Sequence, residues 1–312
     1  MKPALTVIFF TVLSGAGYGV WCLLGAAIAA GIYPLSKIDV LVPLLFGFVL
    51  VTVGLLASTA HLGRPERAWR ALSQWSSSWL SREGIASLIT YLPMLALASL
   101  VFANRYGPGP RIAGALLALC ALATILCTAN IYRSLKTIGA WRTPQVLPLY
   151  FAFALLSGGL WLWAWLALAS GFTIGVAFPL ALLALAVVAA IVKYDYWRRI
   201  DGLPSNSAGH ATGLEMLGKV RAFEGPVTGQ SYLTREMAFV LARKHSTRLR
   251  RIAVALFAAL PALGIVIALP SGAMWIAPLT AIAAVAGLFV ERWLFFAEAR
   301  HAVAAFFPPR RG

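Results

Sequence analysis

An all-α polytopic membrane protein, a bundle of eight transmembrane helices, is the fold class this sequence predicts. Composition is the first sign: the 312 residues are 61% hydrophobic and only 12% charged, where soluble domains are nearer half apolar and a quarter charged. Apolar runs of roughly 20 residues are the second, since that length carries a helix across hydrocarbon. The third is the placement of basic residues between those runs. Helices are preferred because backbone groups in lipid must be satisfied within the segment, whereas barrel strands show short alternating patterns.

The spans are placed at about 5–30, 39–61, 84–103, 111–130, 146–169, 173–193, 251–269 and 274–296, each long enough to cross the hydrocarbon. The first follows Lys2 and continues from Leu5 to about Ala30, too long for the apolar core of a cleavable signal. Gly15, Gly17 and Gly19 in the first span, with Gly158 and Gly159 in the fifth, suit close helix contact, although ordinary glycine usage in membrane helices also accounts for them. Residues 1–312 read as one membrane anchor domain. The 193–250 connection is too polar for lipid and too long for a turn. Within it, GLEMLGKVRAFEGP and LTREMAFVLARKH read as short helices, the second with Met237, Val240 and Leu241 on one face. A cytoplasmic docking surface for another subunit is expected there, with a solvated loop on lipid headgroups as the alternative.

Eight spans put both termini on one side. Every Lys and Arg lies at a terminus or in an even-numbered loop, except Lys37, Arg105, Arg111 and Arg292. Basic excess marks the cytoplasmic face, so both termini are expected in the cytoplasm. The net charge of +16 is thus a topology signal and not a sign of nucleic-acid binding. Cys22, Cys120 and Cys127 form no CxxC, which excludes a cysteine-ligated cluster and a disulfide framework. No metal site is expected. Of His61, His210, His245 and His301, only His61 ends a span, whereas membrane haem needs paired histidines within helices. The bundle is therefore expected to be haem-free. Asp39 and Asp195 stand at span ends, and Glu291 lies in the last span, roughly 25 Å along it and so close to the cytoplasmic interface. The spans carry no midplane acid, which gives a coupled transporter little support.

The segment HLGRPERAWRALSQWSSSW, His61 to Trp79, concentrates the chemistry. His61 ends the second span, Pro65 suits a first helical turn, and Arg64, Arg67 and Arg70 recur every three residues. Trp69, Trp75 and Trp79 suit an interfacial belt. Glu83 in SREGIAS opens the third span, and Glu291 returns to the same level. A titratable imidazole and carboxylates at an apolar edge are what two-electron, two-proton quinone chemistry needs. Singly, each residue has an ordinary explanation: a cap, a helix-start carboxylate, topology markers, belt residues. Together they read as a site.

HLGRPERAWRAL followed by SWLSREGIAS resembles the membrane anchor subunit of dimethyl sulfoxide reductase and its relatives among the complex iron–sulfur molybdoenzymes. IYRSLKTIGAW, Ile131 to Trp141, and VERWLFFAEARH near the end fit the same family, as does the eight-span layout. The resemblance implies a haem-free anchor in the bacterial cytoplasmic (inner) membrane that binds a quinone or quinol, menaquinone or ubiquinone. It would hold a molybdopterin catalytic subunit and an iron–sulfur electron-transfer subunit on the membrane. The family's quinol-associated histidine and glutamate correspond to His61 and Glu83. Arg64 and Arg67 are then expected to orient the pocket or contact the partner, with Glu291 a further pocket member. The long basic loop is similar to that of anchors serving cytoplasmic sulfite-oxidising enzymes. Two rivals remain: a transporter acting alone, and a purely structural anchor without a quinone site.

Overall fold

The computed structural model describes residues 4–60, 64–168, 175–203, 209, 212–218, 220 and 245–302. Among them are eight helices long and apolar enough to cross a membrane: α1 (Leu5–Ala29), α2 (Lys37–Ala60), α3 (Trp79–Phe102), α4 (Pro108–Arg133), α5 (Val146–Leu168), α6 (Ala177–Asp201), α7 (Ser246–Ser271) and α8 (Ile276–Ala297). The bundle of eight transmembrane helices and the all-α class follow, and the protein is multi-pass. A 3-10 helix, Pro65–Gln74, joins α2 to α3.

Several helices extend beyond the apolar runs that announced them. The third begins at Trp79, so Glu83 sits inside its second turn. The sixth continues to Asp201 instead of stopping near 193, because Lys193, Tyr196 and Trp197 are buried on it. The seventh starts at Ser246, where Arg250 finds carboxylates at the last residue of α6 and just past the end of α8. Of the two short helices expected in the long connection, the described part of the first contains a 3-10 turn at Glu215–Leu217, while residues 219 and 221–226 and nearly all of the second, with Met237, Val240 and Leu241, lie outside the described residues.

Helix α1 is the central post, packed most extensively against α2, α4 and α5 and also against α8. Its apolar surface supports this: Tyr18, Trp21, Leu24 and Ile28 are all fully enclosed. The closest approach is at α5, where a Cβ on Gly19 or Gly158 would run into the other helix's backbone. Small residues let backbones meet where lipid supplies no hydrophobic drive for association. Gly15 is different, for a Cβ there meets nothing within 4 Å.

Two prolines interrupt the hydrogen-bond ladder at identifiable points. Pro43 cannot donate to the carbonyl of Asp39, and the Tyr33 hydroxyl donates to that oxygen instead at 2.9 Å. Pro261 likewise leaves the Phe257 carbonyl without its usual donor, and residues Ala255–Ala259 wind as one π turn.

At the basic end of the bundle, α6, α7 and α8 are joined by buried charge. Glu291 is fully buried and holds Lys193 Nζ at 2.5 Å and Arg292 Nε at 2.5 Å on its two oxygens. The ammonium lies over the rings of Tyr196 at 3.9 Å and Trp197 at 5.1 Å. The Arg292 guanidinium lies 4.5 Å from the Tyr150 ring centre and 4.6 Å from that of Phe295. Nearer the aqueous end, Arg250 donates to both oxygens of Asp201 at 2.6 and 2.8 Å and to Glu298 at 2.8 Å. Three cations thus face three carboxylates, and the group carries no net charge.

Two outcomes follow from this packing. Replacing Gly158 by leucine overpacks the α1–α5 crossing and is expected to cost about 1–3 kcal/mol, whereas Gly15→Ala stays within about 0.5 kcal/mol of wild type; thermal unfolding in detergent distinguishes them. Glu291→Leu strands two buried cations, and the expected loss is about 3–5 kcal/mol, read as a fall in the unfolding midpoint. An unchanged midpoint would contradict the structural role given to Glu291.

Candidate functional site

The chain leaves α2 at Ala60 and re-enters the described structure at Arg64, which precedes the 3-10 helix. His61 lies outside the described residues. A 3-10 helix places residues three apart on one line, so Arg67 and Arg70 share one side of it, with Arg64 just ahead of its first residue, and all three are exposed. Trp69 and Trp75 are exposed as well, with the Arg70 guanidinium over the Trp69 ring at 5.6 Å. The segment is fastened to α3 from both sides. Arg82 donates to the carbonyls of Trp75 at 2.9 Å and Ser76 at 2.6 Å, and the Ser81 hydroxyl donates to the carbonyl of Ala71.

One turn further in, the chemistry changes. Glu83, Ser87 and Thr90 are spaced to share one side of α3, and all three are buried. The Ser87 hydroxyl is within reach of the Glu83 carbonyl at 2.8 Å and of Glu83 Oε1 at 3.1 Å. Thr90 meets Thr124 of α4 at 3.1 Å. The Tyr18 hydroxyl of α1 comes in beside Ser87, within electrostatic range of Glu83. Glu83 is only 4% exposed, and among the described residues no Lys or Arg forms an ion pair with it. A carboxyl in that position is costly in a membrane protein and marks a functional candidate. Its chemistry is to hold a proton, pass it on, or accept a hydrogen bond from a bound polar ring.

The sequence places Glu291 beside Glu83, but the structure separates them. Helix α3 packs chiefly on α4, and α8 chiefly on α5 and α7. Both oxygens of Glu291 are engaged by Lys193 and Arg292. Between the two groups lies a cavity bordered by α1, α4, α5 and α8, with Tyr18 at its edge and Arg292 on its far wall. At the opposite end of the bundle is an apolar cavity of about 300 Å³ lined by Phe46, Trp161, Trp165 and Pro278. Among the described residues no group of three or more His, Cys, Asp or Glu is placed to hold a metal ion.

Sequence reasoning misses the partner of Glu291 because Lys193 reads as the first residue of a loop. The available signal is the presence of Lys193, Glu291 and Arg292 within or at the edge of apolar runs, where ionisable groups pair with one another. It also misses the joining of two motif segments. Trp141 donates from Nε1 to the Phe295 carbonyl at 3.0 Å and stacks on the Phe295 ring at 5.6 Å. Tyr132 stands edge-on to Trp141, Phe295 and Phe296. The backbone N–H of Ala302 completes the join, donating to the Thr137 carbonyl at 2.9 Å. IYRSLKTIGAW and VERWLFFAEARH are thus two sides of one aromatic contact.

Comparison with known proteins agrees with the architecture. Residues 1–297 match the family described as DMSO reductase anchor subunit (DmsC). The chain is also similar to a subunit of the sulfite dehydrogenase of Allochromatium vinosum, with 31% identity over 323 residues that cover 96% of this chain and 97% of the relative. Eight membrane-crossing helices, the 3-10 segment that fastens to α3, and these matches lead to one conclusion: the chain belongs to the DMSO reductase anchor subunit family.

Proposed function

We propose that this chain anchors a sulfite-oxidising molybdopterin iron–sulfur complex and passes electrons from its iron–sulfur subunit to the membrane quinone pool. The observation that carries the quinone reading is Glu83: a carboxyl buried at the basic end of the bundle, beside the Ser87 hydroxyl, with no ion-pair partner among the described residues. The full-length similarity to a sulfite dehydrogenase subunit favours sulfite over sulfoxide as the substrate of the catalytic partner.

The residues present suit a quinone. Its ring carbonyls need hydrogen-bond donors and its reduction needs proton-carrying groups, and its tail needs an apolar surface. Glu83, Ser87 and Tyr18 supply hydroxyl and carboxyl groups; Leu56 near the end of α2, with Leu80 and Leu88 in the first half of α3, supplies exposed apolar surface. When bound, quinone accepts two electrons and two protons. Glu83 holds and delivers a proton from its carboxyl, and Ser87 keeps that carboxyl oriented from one turn along the helix. His61 directly follows α2 in the chain and would donate a hydrogen bond to a ring carbonyl. Arg64, just before the 3-10 helix, and Arg67 on it are both exposed and meet the partner subunit instead of lining the pocket. The catalytic subunits and both termini lie on the cytoplasmic face of a bacterial inner membrane, as the basic loops indicate.

In the intact complex, Glu83→Gln and His61→Ala are each expected to slow quinone-linked sulfite oxidation by about tenfold or more, while turnover with an artificial dye that meets the catalytic subunit directly stays at the wild-type rate. Equal loss of both activities makes this region a structural anchor only. Unaltered quinone-linked turnover removes the substituted residue from the mechanism. A complex that reduces sulfoxide and ignores sulfite would transfer the chain to the reductase branch.

A further inference from the structure

The apolar cavity at the end of the bundle away from the basic loops has a defined depth and width. Val42 and Phe46 of α2 form one wall and Trp161, Trp165 and Leu168 of α5 another, with Val20 of α1 and Pro278 of α8 completing it. Among the described residues that line it, none carries a side-chain hydroxyl, amide or charge. Water is therefore a poor occupant, since it needs several polar partners. An empty space of about 300 Å³ is no better, because the lining atoms would lack dispersion contacts on one side. All four bordering helices are long and apolar enough to cross a membrane, so hydrocarbon is the surrounding medium. Val42 and Leu168 line the cavity and are also exposed, which opens it sideways to that medium.

Depth and width narrow the occupant further. Helix α2 begins at Lys37 and α5 ends at Leu168, and these two residues mark the boundary of the spans on this side. Along an α-helix, Phe46 then lies roughly 14 Å inside that boundary and Trp161 roughly 10 Å inside it. A volume of about 300 Å³ spread over that depth gives a cross-section of roughly 20–30 Å². One unbranched alkyl chain suits such a channel. A methyl-branched isoprenoid chain is wider, and the lining offers no hydroxyl or amide side chain to a quinone carbonyl. Helices α2 and α5 have little direct packing beyond the contact of Phe46 with Trp161, whose ring centres are 5.0 Å apart. We infer that this cavity binds one acyl chain of a membrane phospholipid from the leaflet on that side. The headgroup stays at the interface, and the chain supplies the hydrocarbon contacts that α2 and α5 do not give each other. The inference stands apart from the quinone reading, since this cavity and Glu83 lie at opposite ends of the bundle.

The test uses the intact complex in nanodiscs that contain a phospholipid with a diazirine partway along one acyl chain. Photolysis should label peptides bearing Phe46, Trp161 or Trp165, and this label should persist when unlabelled lipid is exchanged in before illumination. Label at Leu95 of α3 and Leu116 of α4, both exposed, should disappear in the same exchange. Ala164 also lines the cavity, so Ala164→Phe should fill it and abolish the persistent label, with dye-linked turnover kept at the wild-type rate. Leu168→Trp obstructs the cavity from an exposed position and decides the matter if Ala164→Phe fails to assemble. Wild-type label that exchanges as fast as label at Leu95 overturns the inference, and so does persistent label that is unchanged in an assembled variant. An azido-quinone that labels Phe46 and Trp161 persistently where the phospholipid does not would give the cavity to the quinone tail, and that result overturns the inference too.

Discussion

A single carboxylate, Glu291, sets the terms for the basic end of this bundle. It is completely buried, ion-paired through one oxygen with Lys193 of α6 and through the other with its neighbour Arg292. Isolated charges of this kind are too costly to leave in an apolar interior, so α6 and α8 must stay in register for all three to be satisfied. The aromatic rings of Tyr150, Tyr196, Trp197 and Phe295 enclose the two cations. Phe295 in turn receives the Trp141 indole on its carbonyl, and α7 is drawn in through Arg250, Asp201 and Glu298. At this end α6 and α8 are tied by that charge, α5 packs Tyr150 against its Arg292 partner, and α7 is added through the adjoining Arg250 cluster.

Glu83 is the contrasting case, and the contrast is what separates structure from function here. Both glutamates are buried near the same end of the bundle. One is matched by two cations; the other has a serine hydroxyl and, among the described residues, no ion pair. Among the described residues the first carboxylate is neutralised by two cations, while the second has only hydroxyl groups beside it, and that difference is what supports the proposal for Glu83. The 3-10 segment is fixed to α3 by Arg82 and Ser81, and its arginines are exposed.

The eight helices and their order are legible in the sequence because lipid allows few other ways to satisfy a backbone, and the runs are long. The helix ends are not. Tyr196, Trp197 and Lys193 look like loop residues until a buried carboxylate on another helix accounts for them, and no local pattern announces a contact between residues so far apart in the chain. The Glu83 neighbourhood is half legible. The motif points to the residue, and the Ser87 contact follows from helical spacing, but the approach of Tyr18 from α1 depends on the glycine-mediated packing of α1. Depth alone groups Glu291 with Glu83. Depth is a single coordinate, and packing puts α1 and α4 between them.

The most direct measurement is photo-crosslinking of the intact complex with an azido-quinone, followed by mass-spectrometric mapping of the labelled peptide. Label at the end of α2, in the His61 segment or in the first turns of α3 is the expected result, reduced in Glu83→Gln. Label confined to the apolar cavity at the other end, on peptides bearing Phe46, Trp161 or Trp165, would contradict the assignment of the quinone site to Glu83.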